Sequence, residues 1–504
     1  MKRTIVTAIL LIAAGSLFAQ DAKSGETLYH YERYNSAIQT LKKSITENPA
    51  DLTSWYWLSK SQLAADQADS ANLTIQQLPQ TIAEQPLAKV IKGELLLNKG
   101  DSVAAWTMFN DAIGTKRKKD PFIQWAVARA LIDAPKGNLI QALNLLEEAS
   151  KRDKKNPAHA IAAGDAYRKL YDGSSAVKAY QEAIDYNAKL AYPYYMIGKI
   201  YQTQNNVSVF TEYFNKAIAA DPDFAPVYYP LYYYYYFRDV NKAMEYLQTY
   251  IAKSDYTIEH DYMLTDLYYV SKKYNEAIQT AQKIMAKGED ATKPRLYKLL
   301  AYSYEGLEDY TNAEKWMKDY FSNEADSNYV SKDYELMAKI AAKNAPATAP
   351  EWYEKAFKIE KDSIARLGYL KNITAFYKKE KNYAEQAAWT GEQYKLTKSA
   401  FTNVDIFNWG VAYYNAKDYT MADSVFGIYA EKYPDQTFGY YWRARCNAAI
   451  DTAMEMGIAI PHYEDMIEVA LKDTSNANNK KWLIQAYGYI AAYRVNAEKK
   501  YDDA

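Results

Sequence analysis

The chain has 504 residues, with 61 Lys and Arg against 62 Asp and Glu and a formal net charge of −1. That balance gives no electrostatic footprint for nucleic acid, and a hydrophobic content of 49% excludes global disorder. A single cysteine, Cys446, excludes an internal disulfide, so packing has to hold the fold together.

In chain order, the first element is a leader. Lys2 and Arg3 precede an apolar run from Ile5 to Ala14, and the small residues Gly15, Ser16 and Ala19 follow. This layout predicts a signal peptide over residues 1–20, cleaved near Ala19 or Gln20. The competing reading, a membrane anchor, needs about 20 apolar residues, and the run is shorter than that. No cysteine lies near it to carry a lipid, and no later stretch is apolar enough to span a bilayer. Export is therefore expected, with the periplasm as destination and secretion as the alternative.

From residue 21 a helix-pair pattern repeats. Gly164, Tyr167, Tyr180 and Ala183 recur 34 residues later as Gly198, Tyr201, Phe214 and Ala217. A third copy runs Gly410, Tyr413, Tyr419, Ala422, Phe426, Tyr429 and Pro434. Weaker copies begin at Gly25, Trp55, Gly93 and Trp125, and others follow around Tyr232, Leu264, Leu300, Ile373, Trp442 and Tyr487. Asn48-Pro49, Asn156-Pro157, Asp221-Pro222 and Tyr433-Pro434 mark helix stops, because proline cannot continue a helix. Where two helices approach closely a small residue should face a small residue, with Gly164 against Ala176 and Gly410 against Ala422.

This pattern resembles the tetratricopeptide repeat, whose signature of small and aromatic residues returns every 34 positions. The resemblance implies an all-α fold, a right-handed α-solenoid of stacked antiparallel helix pairs. The array is expected over 21–342 and 351–504, interrupted by a Pro/Ala-rich loop at 343–350. The last helix looks incomplete. Lys499 to Ala504 reads like the opening turn of a second helix, so either the chain continues or a partner completes it.

Catalytic chemistry is not signalled. The histidines His30, His159, His260 and His462 belong to no zinc motif, and no phosphate-cradling glycine loop or nucleophile elbow is present. We therefore expect no enzyme activity, no catalytic residue, no metal and no cofactor. Cys446 alternates with Trp442, Ala444 and Ala448, which predicts a buried structural thiol.

The 51 tyrosines are the compositional outlier, and they recur in register. In a stacked array one face of each first helix lines the inner surface. Counting from each core glycine or its counterpart selects Tyr192, Tyr195, Tyr229, Tyr233, Tyr236, Tyr262, Tyr269 and Tyr302 as partner-binding candidates. Tyrosine suits recognition because it offers a flat apolar area, a hydroxyl and few rotamers to lose. The alternative for Tyr229, Tyr233 and Tyr236 is crowded core. Some family members clamp a C-terminal carboxylate with basic residues on this face. The matching positions here hold Ile161, Asp165, Tyr195 and Lys199, so that clamp is not implied. The expected function is a protein-interaction scaffold for a peptide or protein partner, without nucleic acid and without an integral membrane span after cleavage. The alternative is a carrier for an extended ligand such as a glycan.

Overall fold

In most of the helix pairs the tight turn between the two helices follows one recipe. The residue closing the first helix is followed by one in the left-handed region: Asn205 at φ 57°, Glu308 at 61° and Lys417 at 63°. The next backbone N–H then donates to the carbonyl five residues back: Asn206 to Tyr201 at 3.1 Å, Asp309 to Tyr304 at 2.9 Å, Asp418 to Tyr413 at 3.1 Å. This is the arrangement that satisfies the orphan carbonyls of a helix end. That same residue also caps the second helix. Asp309 accepts from the Asn312 N–H at 3.1 Å and Asp418 from the Met421 N–H at 3.1 Å. A left-handed lysine is strained where glycine is not. Lys417 is exposed, so Lys417→Gly should raise stability by about 0.5–1 kcal/mol, read as a higher urea midpoint. An unchanged or lower midpoint would show that the turn carries no strain.

The computed structural model describes residues 23–114 and 119–499. The leader expected over 1–20 and residues 500–504 of the expected incomplete helix lie outside them. Among the described residues there is no strand, and the fold is a tandem array of helix pairs. It divides between Thr280 and Ala281 into two units.

In the first unit, α1 (23–30) pairs with α2 (Tyr34–Glu47), α3 (Leu52–Ala64) with α4 (Ala68–Gln76), and α5 (Pro86–Asn98) with α6 (Ser102–Ile113). Then come α7 (Pro121–Asp133) with α8 (Leu139–Arg152), α9 (Pro157–Lys169) with α10 (Gly173–Tyr186), and α11 (Ala191–Thr203) with α12 (Val207–Ala220). A 3₁₀ turn, Ala225–Val227, leads into α13 (Tyr228–Tyr235) and α14 (Val240–Lys253), followed by α15 (Ile258–Val270); the division falls within α16 (Tyr274–Met285).

The second unit continues with α17 (Pro294–Gly306) and α18 (Tyr310–Asn323), α19 (Ser331–Asn344) and α20 (Ala349–Ile359), and α21 (Ser363–Lys379) and α22 (Tyr383–Thr397). It closes with α23 (Asn403–Asn415) and α24 (Tyr419–Lys432), α25 (Thr437–Ile450) and α26 (Ile460–Leu471), and the single long α27 (Ala477–Asn496).

Two sequence expectations need correction. The stretch 343–350 is not a loop. Residues 343 and 344 end α19, Pro346–Thr348 is a 3₁₀ turn, and α20 starts at Ala349 with Pro350 in its first turn. Both prolines stand where a helix has no use for their missing N–H, so they open helices instead of breaking them.

The second correction concerns the glycines. The atoms nearest to them belong to an aromatic ring of the second helix, nearer than the expected alanine. A Cβ on Gly164 would come 2.5 Å from the Tyr180 ring, on Gly198 2.5 Å from Phe214, and on Gly410 2.6 Å from Phe426. Ala176 and Ala422 are fully buried in the same second helices. The bare glycine backbone lets the ring of the second helix lie flat on the first. Cys446 is fully buried, and burial pushes its thiol up to about 12.

Candidate partner-binding cleft

First helices alternate in sequence with second helices, so stacking brings one face of each to the same side. In the first unit α1, α3, α5, α7, α9 and α11 all contribute to one cleft of about 860 Å³. The residues between α1 and α2, together with Asp221 and Phe224 after α12, complete its wall.

Part of the wall is aromatic. Trp57 lies 5.1 Å from Tyr29, 5.1 Å from Tyr56 and 6.3 Å from Trp125 between ring centres, and Trp125 stacks on Phe122 at 5.6 Å. Tyr56, Trp57 and Trp125 are buried, whereas Tyr29 and Tyr192 are half-buried. Among the described residues the Tyr56 hydroxyl has no hydrogen-bond partner.

The remainder is a ladder of ionised groups climbing from repeat to repeat. The Lys60 ammonium on α3 donates to Glu94 on α5 at 2.7 Å and to Asp133 on α7. Arg129 on α7 donates to Asp133 at 2.6 Å and to Asp165 on α9. Asp165 also accepts the hydroxyls of Tyr180 at 2.6 Å and Tyr192 at 2.9 Å. Lys169 on α9 donates to the Ile132 carbonyl. Lys60, Glu94 and Asp165 are buried, so each charge depends on its partners.

Burial pushes the Asp133 carboxyl up, but Arg129 and Lys60 beside it outweigh that and hold it at about 2. Burial pushes Glu94 up, with Lys60 opposing only in part. A depressed carboxylate contributes stability that is complete above its ordinary value of 3.8 and is lost as pH falls through about 2. For Asp133 that is about 2 kcal/mol. Between pH 4 and pH 2 the melting temperature of the wild-type chain should therefore fall more steeply than that of Asp133→Asn. Parallel pH profiles would show that Asp133 is not held ionised by its neighbours.

The cleft is closed by residues distant in sequence. Tyr31, after α1, donates its hydroxyl to Asp221 and meets Phe224 edge-on at 6.1 Å. Asp255, after α14, pairs with Arg33 at 3.4 Å. It also accepts the Ser36 N–H at 3.0 Å and the Ser36 hydroxyl at 2.5 Å. The first helix pair thus sits against the connections that follow α12 and α14.

The sequence-selected tyrosines separate in this geometry. Tyr192 lines the cleft. Tyr195 is half-buried, with its ring 5.5 Å from Phe224 and 6.0 Å from Phe214. Tyr229 and Tyr233 are exposed at 44% and 62%, outside the cleft lining. Tyr236 is half-buried against Tyr232 at 5.9 Å, and Tyr269 is half-buried 5.9 Å from Tyr274. Tyr262 is 1% exposed and belongs to the core of α15, so it presents no surface to a partner. Tyr302 belongs to the second unit, packed against the cluster of Ala301, Met317 and Ile340.

Counting along the helix placed Ile161 and Asp165 on the inner face, and both line the cleft. It did not single out Lys60, Glu94, Arg129 or Asp133. A usable signal was present: opposite charges one repeat apart, Lys60 with Glu94 and Arg129 with Asp165. The second unit uses the same device. There Lys298 pairs with buried Asp333 at 2.9 Å, and Asp333 accepts the Tyr320 hydroxyl at 3.0 Å. Among the described residues no group of acidic, histidine and cysteine side chains is placed to hold a metal ion. None of the described helices is long and apolar enough to cross a membrane.

No protein-family profile matches the chain, and no curated protein does. Among solved structures it is 30% identical to the C-terminal part of a TPR repeat-containing protein from Cytophaga hutchinsonii. That match covers 48% of this chain and 91% of the other, with a TM-score of 0.26. A tetratricopeptide repeat protein from Parabacteroides merdae is 16% identical over 50% of this chain and 98% of its own, at a TM-score of 0.32. Human IFIT1, solved as a dimer with PPP-AAAA, is 14% identical over 79% of this chain and 94% of its own, at 0.34. At these scores whole-chain superposition carries no weight.

Proposed function

Because the chain belongs to the tetratricopeptide-repeat proteins, we propose that it is a binding scaffold of the bacterial envelope that takes an extended segment of a protein partner into the first unit's inner cleft. The observation that carries this reading is the cleft itself. Six successive first helices line one space of about 860 Å³, with aromatic rings and fixed charges on its walls. Such a mixture of apolar body and few oriented polar groups is what ligand sites require. Rigid tyrosines add contact area at little entropic cost. The absence of any catalytic motif in the sequence favours binding over turnover. The basic and apolar leader, Lys2 to Ala19, supports export to the periplasm. Cell fractionation with N-terminal sequencing of the mature chain tests that part. A cytosolic, uncleaved chain would end the envelope reading.

The cleft reading is tested by photo-crosslinking in cells. A photoreactive residue replaces Tyr192 on the cleft wall or Val103, which is 79% exposed on α6. Adducts carrying peptide are expected from position 192 and not from 103. Equal yields from both positions would refute the cleft as the binding face. Adducts carrying sugar instead of peptide would favour the glycan alternative.

A further inference from the structure

The cleft's charges do not balance. Carboxylates on its lining number six against four cations. Lys60 and Arg129 are consumed within the ladder, Lys169 is engaged with a backbone carbonyl, and Lys189, the fourth, makes no ion pair among the described residues. Of the carboxylates outside the ladder, Glu26 lies 3.7 Å from His30, and Asp221 accepts the Tyr31 hydroxyl. Glu32 is different. Among the described residues no hydrogen bond or ion pair reaches its carboxylate.

Glu32 occupies the turn between α1 and α2 with φ at 58°, and it lines the cleft. It is exposed, yet protein surrounds it closely enough that burial pushes its carboxyl up. Lys199 is the one cation whose charge is felt there, and no ion pair forms between them. The charge of Glu32 is also felt by the hydroxyls of Tyr34, Tyr195 and Tyr250. An exposed carboxylate without a partner on a cleft wall is open to a counter-charge. Tyrosine faces nearby suit the same cation.

We propose that the cleft selects a positively charged segment, with a lysine or arginine side chain of the partner docked on Glu32. This rests on the peptide reading above and names the chemistry that the partner must supply. Long-range attraction by the excess carboxylates would steer such a segment, and Glu32 would fix its register.

The test titrates fluorescently labelled octalysine and octaglutamate into the full chain at 150 mM salt, followed by anisotropy. Octalysine should bind and octaglutamate should not. Glu32→Gln, which keeps the shape and removes the charge, should weaken octalysine binding at least tenfold. Glu147→Gln, on the outer helix α8, should leave it unchanged. Circular dichroism of both variants controls for folding. Equal affinity in wild type and Glu32→Gln, binding of neither probe, or preference for octaglutamate would each overturn the proposal. If one of these results came with peptide adducts from position 192, the cation preference alone would fall and the cleft reading would stand.

Discussion

Replacing Lys60 by Met should destabilise the first unit by about 3–5 kcal/mol, the largest loss expected from any single surface-free charge in it. The ammonium is 3% exposed and donates to two carboxylates, Glu94 and Asp133. Methionine fills the volume of the stem, so packing is nearly preserved and the loss is electrostatic. Glu94, itself 2% exposed, would be left as a buried charge without its only ion-pair partner among the described residues, whereas Asp133 would keep Arg129. Adding Glu94→Gln to Lys60→Met should recover part of the loss, because the orphaned charge is then gone. Hydrogen exchange of peptides from α3, α5 and α7 reads both variants without assuming that the two units unfold together. Exchange unchanged by Lys60→Met would mean that the ladder contributes nothing to stability.

Phe214→Ala should cost about 3–5 kcal/mol, comparable in size but different in origin. The ring is fully buried and lies where a Cβ on Gly198 would come within 2.5 Å. Removing it leaves a void between α11 and α12 that rigid helices cannot close. The reciprocal change, Gly198→Ala, should cost about 1–3 kcal/mol by overpacking. Alanine's better helix propensity, about 1 kcal/mol, works against that cost but does not cancel it. Combining Gly198→Ala with Phe214→Leu should cost less than the sum of the two single changes, because the smaller side chain makes room for the methyl. Strict additivity, measured by urea midpoints, would show that the glycine is not there for the ring.

The helix-pair architecture was legible because it is written locally. A bare glycine, a large ring in the next helix and an Asn or Asp cap recur at one spacing, and each has a local physical cause. That a ring comes nearest to each glycine was not legible, since sequence says which positions are small but not which atoms they meet. The prolines at 346 and 350 were misjudged for a related reason. A proline at a helix's first turn and one in a loop look alike until the helix is seen. Helix geometry also placed Asp165 and Tyr192 on the inner face. The ladder escaped notice because each charge stands alone on its own helix. Lys60 finds Glu94 only through the stacking of successive repeats. Closure of the cleft by Tyr31 on Asp221 and Ser36 on Asp255 was further out of reach. It depends on small rotations accumulated over several repeats, which no single repeat encodes. Tyr262 shows the converse limit: the count that selects inner positions cannot say that one of them is covered.

The most direct measurement is hydrogen exchange of the full chain with and without the partner crosslinked at position 192. Protection is expected in peptides from α1, α9, α11 and the 31–34 turn, with α4, α6, α8 and α10 unchanged. Protection on those second helices, or confined to residues beyond 280, would contradict an inner-cleft scaffold.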